Sequence, residues 1–582
     1  MEEKNEIVLH GIAASPGIMI GKAYVFAKQT PRVEDKSISE YEISLELDRL
    51  QHAVDRSEKE LQKVLQLTEQ KVGSQKAKIF EAQIMILADA VLFDSIRKRI
   101  QKELKSAEYA VHREISKYQQ MMMNSTDEYM RERAHDVEDV KNRIIRNIQQ
   151  EKLISRFEPN SIVISEILTP ADTVLFSRNE VLAYATDMGG VTSHAALLSR
   201  SLNIPSVVGL KVITKHVQIG DTIVVDGYTG NVIIHPTIET IQRCNDRKAE
   251  HEQFDFRLKE IREFTAQTTD GKIVHLSCNI EFSEEAGNVH DQGSNGIGLY
   301  RTEGLFLRKE DYPTEDEQYA EYRAVVEKAR PYKVIMRVLD IGGDKVVSNS
   351  NTEENPFLGW RGIRLLLDRP EVFLTQLRAM LRASVHGEIW IMLPMISGIK
   401  EIRQSKELLD KAKQQLKDKN IPFDESIKMG AMIEIPSAAI IAGEIAEETD
   451  FLSIGTNDLT QYLLAVDRGN EVVSSLYQEF HPAVIKTIRS IIMEAHRAGK
   501  PVSMCGEMAG EPIAALLLLG LGLDEFSMTP HILPEIKKII RSVSYSEAEE
   551  IANKVLEMKT EDDIKDFLRV NLHSMVPELL LE

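Results

Sequence analysis

Cysteine is scarce in this chain. Cys244, Cys278 and Cys505 are its only three in 582 residues, too scattered for a disulfide framework and without the clustered spacing of a structural zinc site. No run of about 18 apolar residues marks a membrane span. The acidic start MEEKNEIVLHGIAAS lacks the apolar core of a secretory signal. These absences predict a cytoplasmic protein without membrane insertion. Basic residues are outnumbered, leaving a formal net charge of -20, which repels a nucleic-acid backbone rather than meeting it with a basic footprint. No P-loop or comparable glycine-rich phosphate cradle occurs. Any phosphate bound here is expected to be small and held locally.

With 43% hydrophobic and 28% charged residues, the chain has the composition of a globular protein with real cores. Its length suggests roughly four structural units, fewer if one is a barrel. The opening HGIAASPGIMIGKAYVF reads as β-prone stretches around a Ser15-Pro16-Gly17 turn. From about Ser37 the apolar period becomes helical, with Ile43, Leu47, Leu50, Val54, Leu61 and Leu65 among charged residues. About four helices are expected up to Glu151, forming a bundle with a small exposed-looking Met121-Met122-Met123 cluster. Short β-prone runs return after Phe157 and can complete a sheet with the opening segment. Residues 238–264 are charged and helical in period without a convincing core face, which suits a linker.

From Lys272 onward about eight buried strands alternate with helices, the number that closes a (β/α)8 TIM barrel. The expected architecture is multidomain α/β. Residues 1–36 with 152–235 form an α/β domain, 37–151 an inserted helical subdomain, 236–265 a linker helix and 266–582 the barrel. Arg301, Arg337, Asp340, Glu434, Asn457, Asp458 and Cys505 then fall at strand C-terminal ends, the active face of such a barrel.

Two regions carry chemistry. In the first, Gly189-Gly190-Val191-Thr192-Ser193-His194 runs into a helix-forming stretch. The glycines allow close backbone approach, and first-turn N–H groups with the Thr192 and Ser193 hydroxyls can hold a phosphoryl group beside a neutral imidazole nucleophile. A capped helix carrying a surface histidine is the plainer account. In the second, Arg301, Arg337, Arg361, Arg364 and Arg468 offer guanidinium groups for an anion. Three of them about 6 Å apart would repel pairwise by about 3 kcal/mol at an effective dielectric of ~20, which favours an anion between them. Glu434 and Asp458 suit Mg2+, or else simply bridge arginines within the barrel. Asn457 can donate to a phosphate or cap a helix. Cys505 can donate a proton from its thiol, with nearby arginines lowering its pKa and making it sensitive to alkylation, or can be a small packed residue.

The run GGVTSHAALLSRSLNIPSVVG resembles the phosphohistidine motif shared by enzyme I of the bacterial phosphotransferase system and by phosphoenolpyruvate-utilising dikinases and synthases. Leu168-Thr169-Pro170 is similar to the family segment whose threonine lies near the histidine. Together with LHGIAASPGI, GIGLYRTEGLF, LDIGGDK, NPFLGWRGIR, MIEIPSAA, GTNDLTQYLLAVDRGN and MCGEMAG, in that order, the chain resembles the enzyme I family over essentially its whole length. Small departures, Val191 and Val338-Leu339, touch nothing catalytic.

The resemblance implies phosphoryl transfer from phosphoenolpyruvate to His194 and then to the histidine of the carrier HPr, with release of pyruvate, as the first step of sugar uptake. It further implies that Arg301, Arg337, Asn457, Asp458 and Arg468 contact phosphoenolpyruvate, that Glu434 and Asp458 hold Mg2+, and that Cys505 donates the proton. HPr docking on the helical subdomain, a homodimer through the barrel and reorientation of the domains about the linker helix belong to the same expectation. A dikinase needs a large nucleotide-binding domain ahead of the histidine, which is not expected here. Nor is the sensor domain of the nitrogen-related branch.

Overall fold

The computed structural model describes residues 5–26, 33–72, 74–123, 128–149, 159–178, 180–190, 193–306, 312–342, 355–468, 470 and 472–579. They form two compact units that divide between Glu252 and Gln253.

The first unit is built on β1 (Ile7–His10), β2 (Ile12–Ser15), β3 (Ile18–Val25), β4 (Ser161–Ser165), β5 (Ala183–Thr186), β6 (Ser206–Val208), β7 (Thr222–Asp226) and β8 (Asn231–Ile234). Their order is β1-β8-β7-β3-β4-β5-β6-β2, parallel from β3 through β6 and antiparallel elsewhere. β4, β6, β7 and β8 are rich in β-branched residues and buried, as the covered part of a sheet requires. The expected turn is present. Gly17 has φ +124°, and a Cβ there would sit 2.5 Å from the Pro205 ring, so a larger residue is excluded both by the left-handed backbone and by contact.

Between β3 and β4 the chain leaves the sheet for α1 (Ile43–Val72), α2 (Ser74–Leu87), α3 (Ala90–Glu103), α4 (Ala107–Met123) and α5 (Glu128–Gln149). Five helices are described rather than about four. α2 and α3 are separated where the Asp89 carboxylate accepts the Val91 and Leu92 N–H groups and caps α3. Leu61, Phe80, Ile96, Val111, Ile115, Val140 and Ile144 are fully buried in the bundle. The methionine cluster divides, with Met122 buried and Met121 and Met123 exposed, as one helix face requires.

The bundle core does not close on itself. Ala171 and Val174 of α6 (Pro170–Ser177) and Leu198 of α7 (His194–Ser201) join it. After α8 (Ile213–His216), α9 (Ile238–Glu260) is more embedded than its sequence suggests. Cys244 packs with Ile18, Val224 and Ile233 of the first unit, and Phe254 belongs to the core of the second. Widely spaced buried residues on a charged helix leave a weak periodic signal.

The second unit is a closed parallel barrel of β9 (His275–Ile280), β10 (Ile297–Arg301), β11 (Val334–Arg337), β12 (Ile389–Leu393), β13 (Lys428–Ile433), β14 (Leu452–Ile454), β15 (Val502–Met504) and β16 (Glu525–Met528). All eight follow Lys272 and alternate with helices, as expected. Leu299, Ile335, Met392, Met432 and Phe451 fill the interior together with Cys505. Gly430 gives the Phe451 ring its place, since a Cβ there would lie 2.5 Å from it. Among the described residues no helix is long and apolar enough to cross a membrane.

The cap that divides the bundle yields a direct test. Asp89→Ala should lower stability by about 1 kcal/mol, read as an earlier urea midpoint for the bundle's unfolding transition with an unchanged m-value; no shift would mean that the α3 N-terminus is satisfied by other means.

Candidate active site at the barrel mouth

The strand ends gather most of the chemistry-bearing side chains at one face. Arg337 closes β11, and its guanidinium reaches Glu303 at 3.0 Å and Asp340 at 3.1 Å. Asp340 is buried and takes a two-pronged grip from Arg361, whose Nε and Nη2 donate at 3.0 and 2.8 Å. Burial works against the Asp340 charge, but Arg337 and Arg361 outweigh it and hold the carboxyl below its ordinary range. Arg361 also reaches Asp458 at 3.3 Å. Arg364, in contrast, donates to the Leu358 and Gly359 carbonyls and belongs to a turn rather than to this network.

Glu434 follows β13 and is buried. One of its oxygens accepts the Met395 N–H at 2.6 Å. Burial first, then the charges of Asp458 and Asp340, push its carboxyl above the usual range. Asp458 lies in the first turn of the helix Thr456–Leu464, one residue after Asn457. Asn457 caps nothing in its own helix. Its Nδ2 donates to Glu507 Oε1 at 2.8 Å while its Oδ1 accepts the Glu507 N–H at 2.8 Å, which fixes the orientation of the amide. Arg468 approaches the same Glu507 carboxylate at 3.8 Å. Arg301, at the end of β10, donates to Glu281 at 2.7 Å.

The guanidinium groups are therefore not a bare positive cluster awaiting an anion. Arg301, Arg337, Arg361 and Arg468 are met by Glu281, Glu303, Asp340, Glu434, Asp458 and Glu507. Carboxylates exceed guanidinium groups, so an incoming multiply charged anion worsens the balance unless a cation enters with it. Glu434 and Asp458 supply hard oxygen donors of the kind Mg2+ takes, and such a cation would relieve both the burial of the Glu434 charge and its repulsion by Asp458 and Asp340. Two carboxylates are what the chain offers there. Among the described residues no group of three or more His, Cys, Asp or Glu side chains is arranged to hold a metal.

A cavity of about 720 Å3 opens at this face and is lined by Arg301, Glu507, Cys505 and Asn279 among others. Cys505, just beyond β15, is only 4% exposed. Burial pushes its thiol above the ordinary range, and the nearby Arg337 and Arg301 do not reverse this. The expected lowering by arginines is thus overturned: desolvation of the thiolate outweighs them, leaving a protonated, sheltered sulfur instead of an alkylation-prone one.

In the first unit, His194 opens α7 directly after Ser193, whose hydroxyl accepts the Ala196 N–H at 3.3 Å as the helix N-cap. Gly189 has φ +119°, the left-handed conformation that the turn into this helix needs. Val191, Thr192 and the His194 side chain lie outside the described residues. Thr169 caps α6 through a reciprocal pair with Asp172. Leu168 and Ala195, the neighbours of Thr169 and His194, share one apolar cluster, so the two helix starts lie side by side.

Glu303, Glu281 and Glu507 were not singled out in the sequence, although Glu303 follows Arg301 within GLYRTEGLF and Glu507 lies in MCGEMAG. A carboxylate two residues from a candidate guanidinium is the available signal, but it does not say which arginine it serves. Glu303 pairs with Arg337.

Comparison with known proteins gives the family. The family described as PEP-utilising enzyme, PEP-binding domain, matches residues 256–545. The corresponding N-terminal and mobile domains match residues 10–133 and 157–230. The phosphoenolpyruvate-protein phosphotransferase of Priestia megaterium is 42% identical over 573 residues, covering 97% of this chain and 99% of that protein. The chain belongs to the phosphoenolpyruvate-protein phosphotransferase family. The Bacillus subtilis (strain 168) member is 41% identical over 568 residues, 96% of this chain and 99% of its own. A solution structure of Enzyme I is 39% identical over 42% of this chain and 99% of that one, with a TM-score of 0.39. In this phosphotransferase family member, the barrel described above falls within the segment matched by the PEP-binding description, and His194 falls within the mobile one.

Two outcomes follow from the mouth. Asp340→Ala leaves Arg337 and Arg361 buried without their shared counter-charge and should cost roughly 3–5 kcal/mol of barrel stability, measured by chemical denaturation; a loss below about 1 kcal/mol would mean that Glu303 and Asp458 suffice. Behind Asn457, the Tyr477 hydroxyl donates to the Asn457 carbonyl at 3.2 Å, and Glu479 lies 3.5 Å from the same hydroxyl. Burial, then Glu511 and Glu507, push the Glu479 carboxyl up to about 7. Its unfolded form ionises near 4.5, so folding loses stability as pH rises from 4.5 to 7 and the loss is complete above that. Glu479→Gln should therefore stabilise the protein by about 3 kcal/mol at pH 8 and by almost nothing at pH 4; equal effects at both pH values would exclude this titration.

Proposed function

We propose that the chain, as a member of this family, takes the phosphoryl group of phosphoenolpyruvate onto His194 and passes it to the histidine of a small carrier of the HPr type, releasing pyruvate. The observation that carries this reading is the meeting of Arg301, Arg337, Arg361 and Arg468 with Glu434, Asp458 and Cys505 at one end of the barrel.

Arg337 and Arg361 are held by buried carboxylates and so keep fixed positions, which suits them to orient the substrate's carboxylate and phosphate with little loss of entropy. Arg301 and Arg468 have looser partners, Glu281 and Glu507, and their side chains are each 39% exposed. They can exchange a carboxylate of the protein for an oxygen of the substrate. The Asn457 amide, fixed by Glu507, presents its remaining N–H to a phosphate oxygen. A Mg2+ ion at Glu434 and Asp458 would neutralise charge on the substrate oxygens. Once phosphorus departs, the enolate needs a proton at carbon, and the protonated Cys505 thiol is the donor. His194, first in its helix, meets the phosphoryl group where first-turn N–H groups stabilise negative charge.

The bundle of α1–α5 is the surface we assign to the carrier, because its core is shared with α6 and α7 and it is thereby tied to the histidine helix. Pairing of two chains through the barrel and a cytoplasmic location complete the reading.

Incubation with labelled phosphoenolpyruvate and Mg2+ tests it. The full chain should gain one acid-labile phosphate, His194→Ala none, and chelation should stop labelling by phosphoenolpyruvate while sparing transfer from a phosphorylated carrier. Undiminished labelling of His194→Ala would remove the histidine from the mechanism, and equal loss of both half-reactions on chelation would place the metal elsewhere.

A further inference from the structure

Cys505 is pinned more thoroughly than packing requires. Its N–H donates to the Ile454 carbonyl at 3.1 Å, and its own carbonyl accepts Asn279 Nδ2 at 3.0 Å. Asn279 is in turn steadied by Ser527, whose hydroxyl donates to Asn279 Oδ1 at 2.6 Å. The backbone is thereby held by the neighbouring β14 on one side and by Asn279 of β9, beyond β16, on the other, and the side chain keeps one torsion. That torsion is restrained by Ser453, in the middle of β14, whose Oγ donates to Cys505 Sγ at 3.3 Å.

Ser453 is fully buried. Buried strand serines ordinarily give their proton to a carbonyl, as Ser503 on the neighbouring strand does to Leu452. Ser453 gives its proton to sulfur. A neutral thiol is a weak acceptor and returns little to a desolvated hydroxyl. A thiolate is a strong one. The Ile454 carbonyl, 3.9 Å from the sulfur, accepts the thiol proton in the resting state, and the charges of Glu434, Arg337 and Arg301 also act on it; the other side chains in its cluster, Leu299, Ile335, Met392, Met432 and Phe451, are hydrocarbon or thioether. The pair is therefore better matched to the state after Cys505 has given up its proton than to the resting state.

We propose that Ser453 is a positioning residue for proton donation by Cys505, aiming the S–H at the substrate carbon and stabilising the sulfur that is left behind. The proposal rests on the reading of Cys505 as the proton donor. In the step, the S–H bond breaks and a C–H bond forms at the methylene carbon of enolpyruvate, whose enolate electron pair becomes that bond. The S–H pair stays on sulfur as a thiolate, Ser453 keeps its own proton and hydrogen-bonds to it, and water at the mouth returns a proton before the next turnover. Of the influences on this thiol, burial opposes the thiolate and the Ser453 bond is the largest that favours it.

The test compares the full-length enzyme with Ser453→Ala and, in parallel, Cys505→Ala. Three quantities are read: affinity for phosphoenolpyruvate with Mg2+, single-turnover pyruvate formation, and the configuration of the methyl group formed in isotopically labelled water from phosphoenolpyruvate labelled stereospecifically at its methylene carbon. Ser453→Ala should bind as wild type, form pyruvate on the order of 10- to 100-fold more slowly, and yield a partly racemised methyl group. Wild-type rate and configuration in Ser453→Ala, with Cys505→Ala slow, would overturn the role of Ser453 alone. Loss of affinity together with rate would show a structural serine and overturn it equally. Unimpaired pyruvate formation by Cys505→Ala would overturn the donor assignment and the Ser453 proposal with it.

Discussion

The barrel mouth is organised around one buried carboxylate. Asp340 holds Arg337 with one contact and Arg361 with two, and through Arg361 it fixes the approach to Asp458. Like charges brought this close in a partly dry site would repel strongly. A shared counter-ion turns that repulsion into rigidity. Removing it would leave two desolvated cations, so the clasp is costly to break even if its net contribution to stability is modest.

Glu434 has no such guanidinium clasp; its carboxylate accepts the Met395 N–H and sits near Asp458 and Asp340, so its charge is disfavoured. The site is thus strained on its acidic side and satisfied on its basic side. A divalent cation relieves the acidic side, and a polyanionic substrate that enters with it no longer worsens the balance. Glu281 and Glu507 fit the same logic. They occupy Arg301 and Arg468 with exposed carboxylates that a phosphate can replace at small cost, since surface ion pairs are weak.

In the first unit the corresponding constraint is packing. The bundle has no closed core without Ala171, Val174 and Leu198, so its position is set by the two helices that begin at Thr169 and His194. Interiors are close-packed and transmit small displacements. A partner that presses on the bundle therefore acts on the element carrying the histidine.

Much of this was readable from residues alone. Eight apolar runs at barrel spacing located β9 to β16 because strands buried on both faces leave nearly continuous hydrophobic sequence. Gly189-Gly190 before Ser193-His194 marked a helix start because few residues accept that turn. Arg301, Arg337, Glu434, Asn457, Asp458 and Cys505 stood out because polar side chains at strand ends have little structural excuse, and Arg468 stood out only through the family resemblance. Only the tertiary structure decided who partners whom: that Glu303 serves Arg337, that Glu507 orients Asn457, that Arg364 turns away to a loop, and that Ser453 faces sulfur. It also reversed the sign expected for the Cys505 thiol and embedded α9 at Cys244 and Phe254. The reason is common to all of these. Periodicity and residue type are local and survive in a one-dimensional sequence, whereas desolvation and pairing depend on what closure of the barrel and sheet brings from distant positions into the same few ångströms.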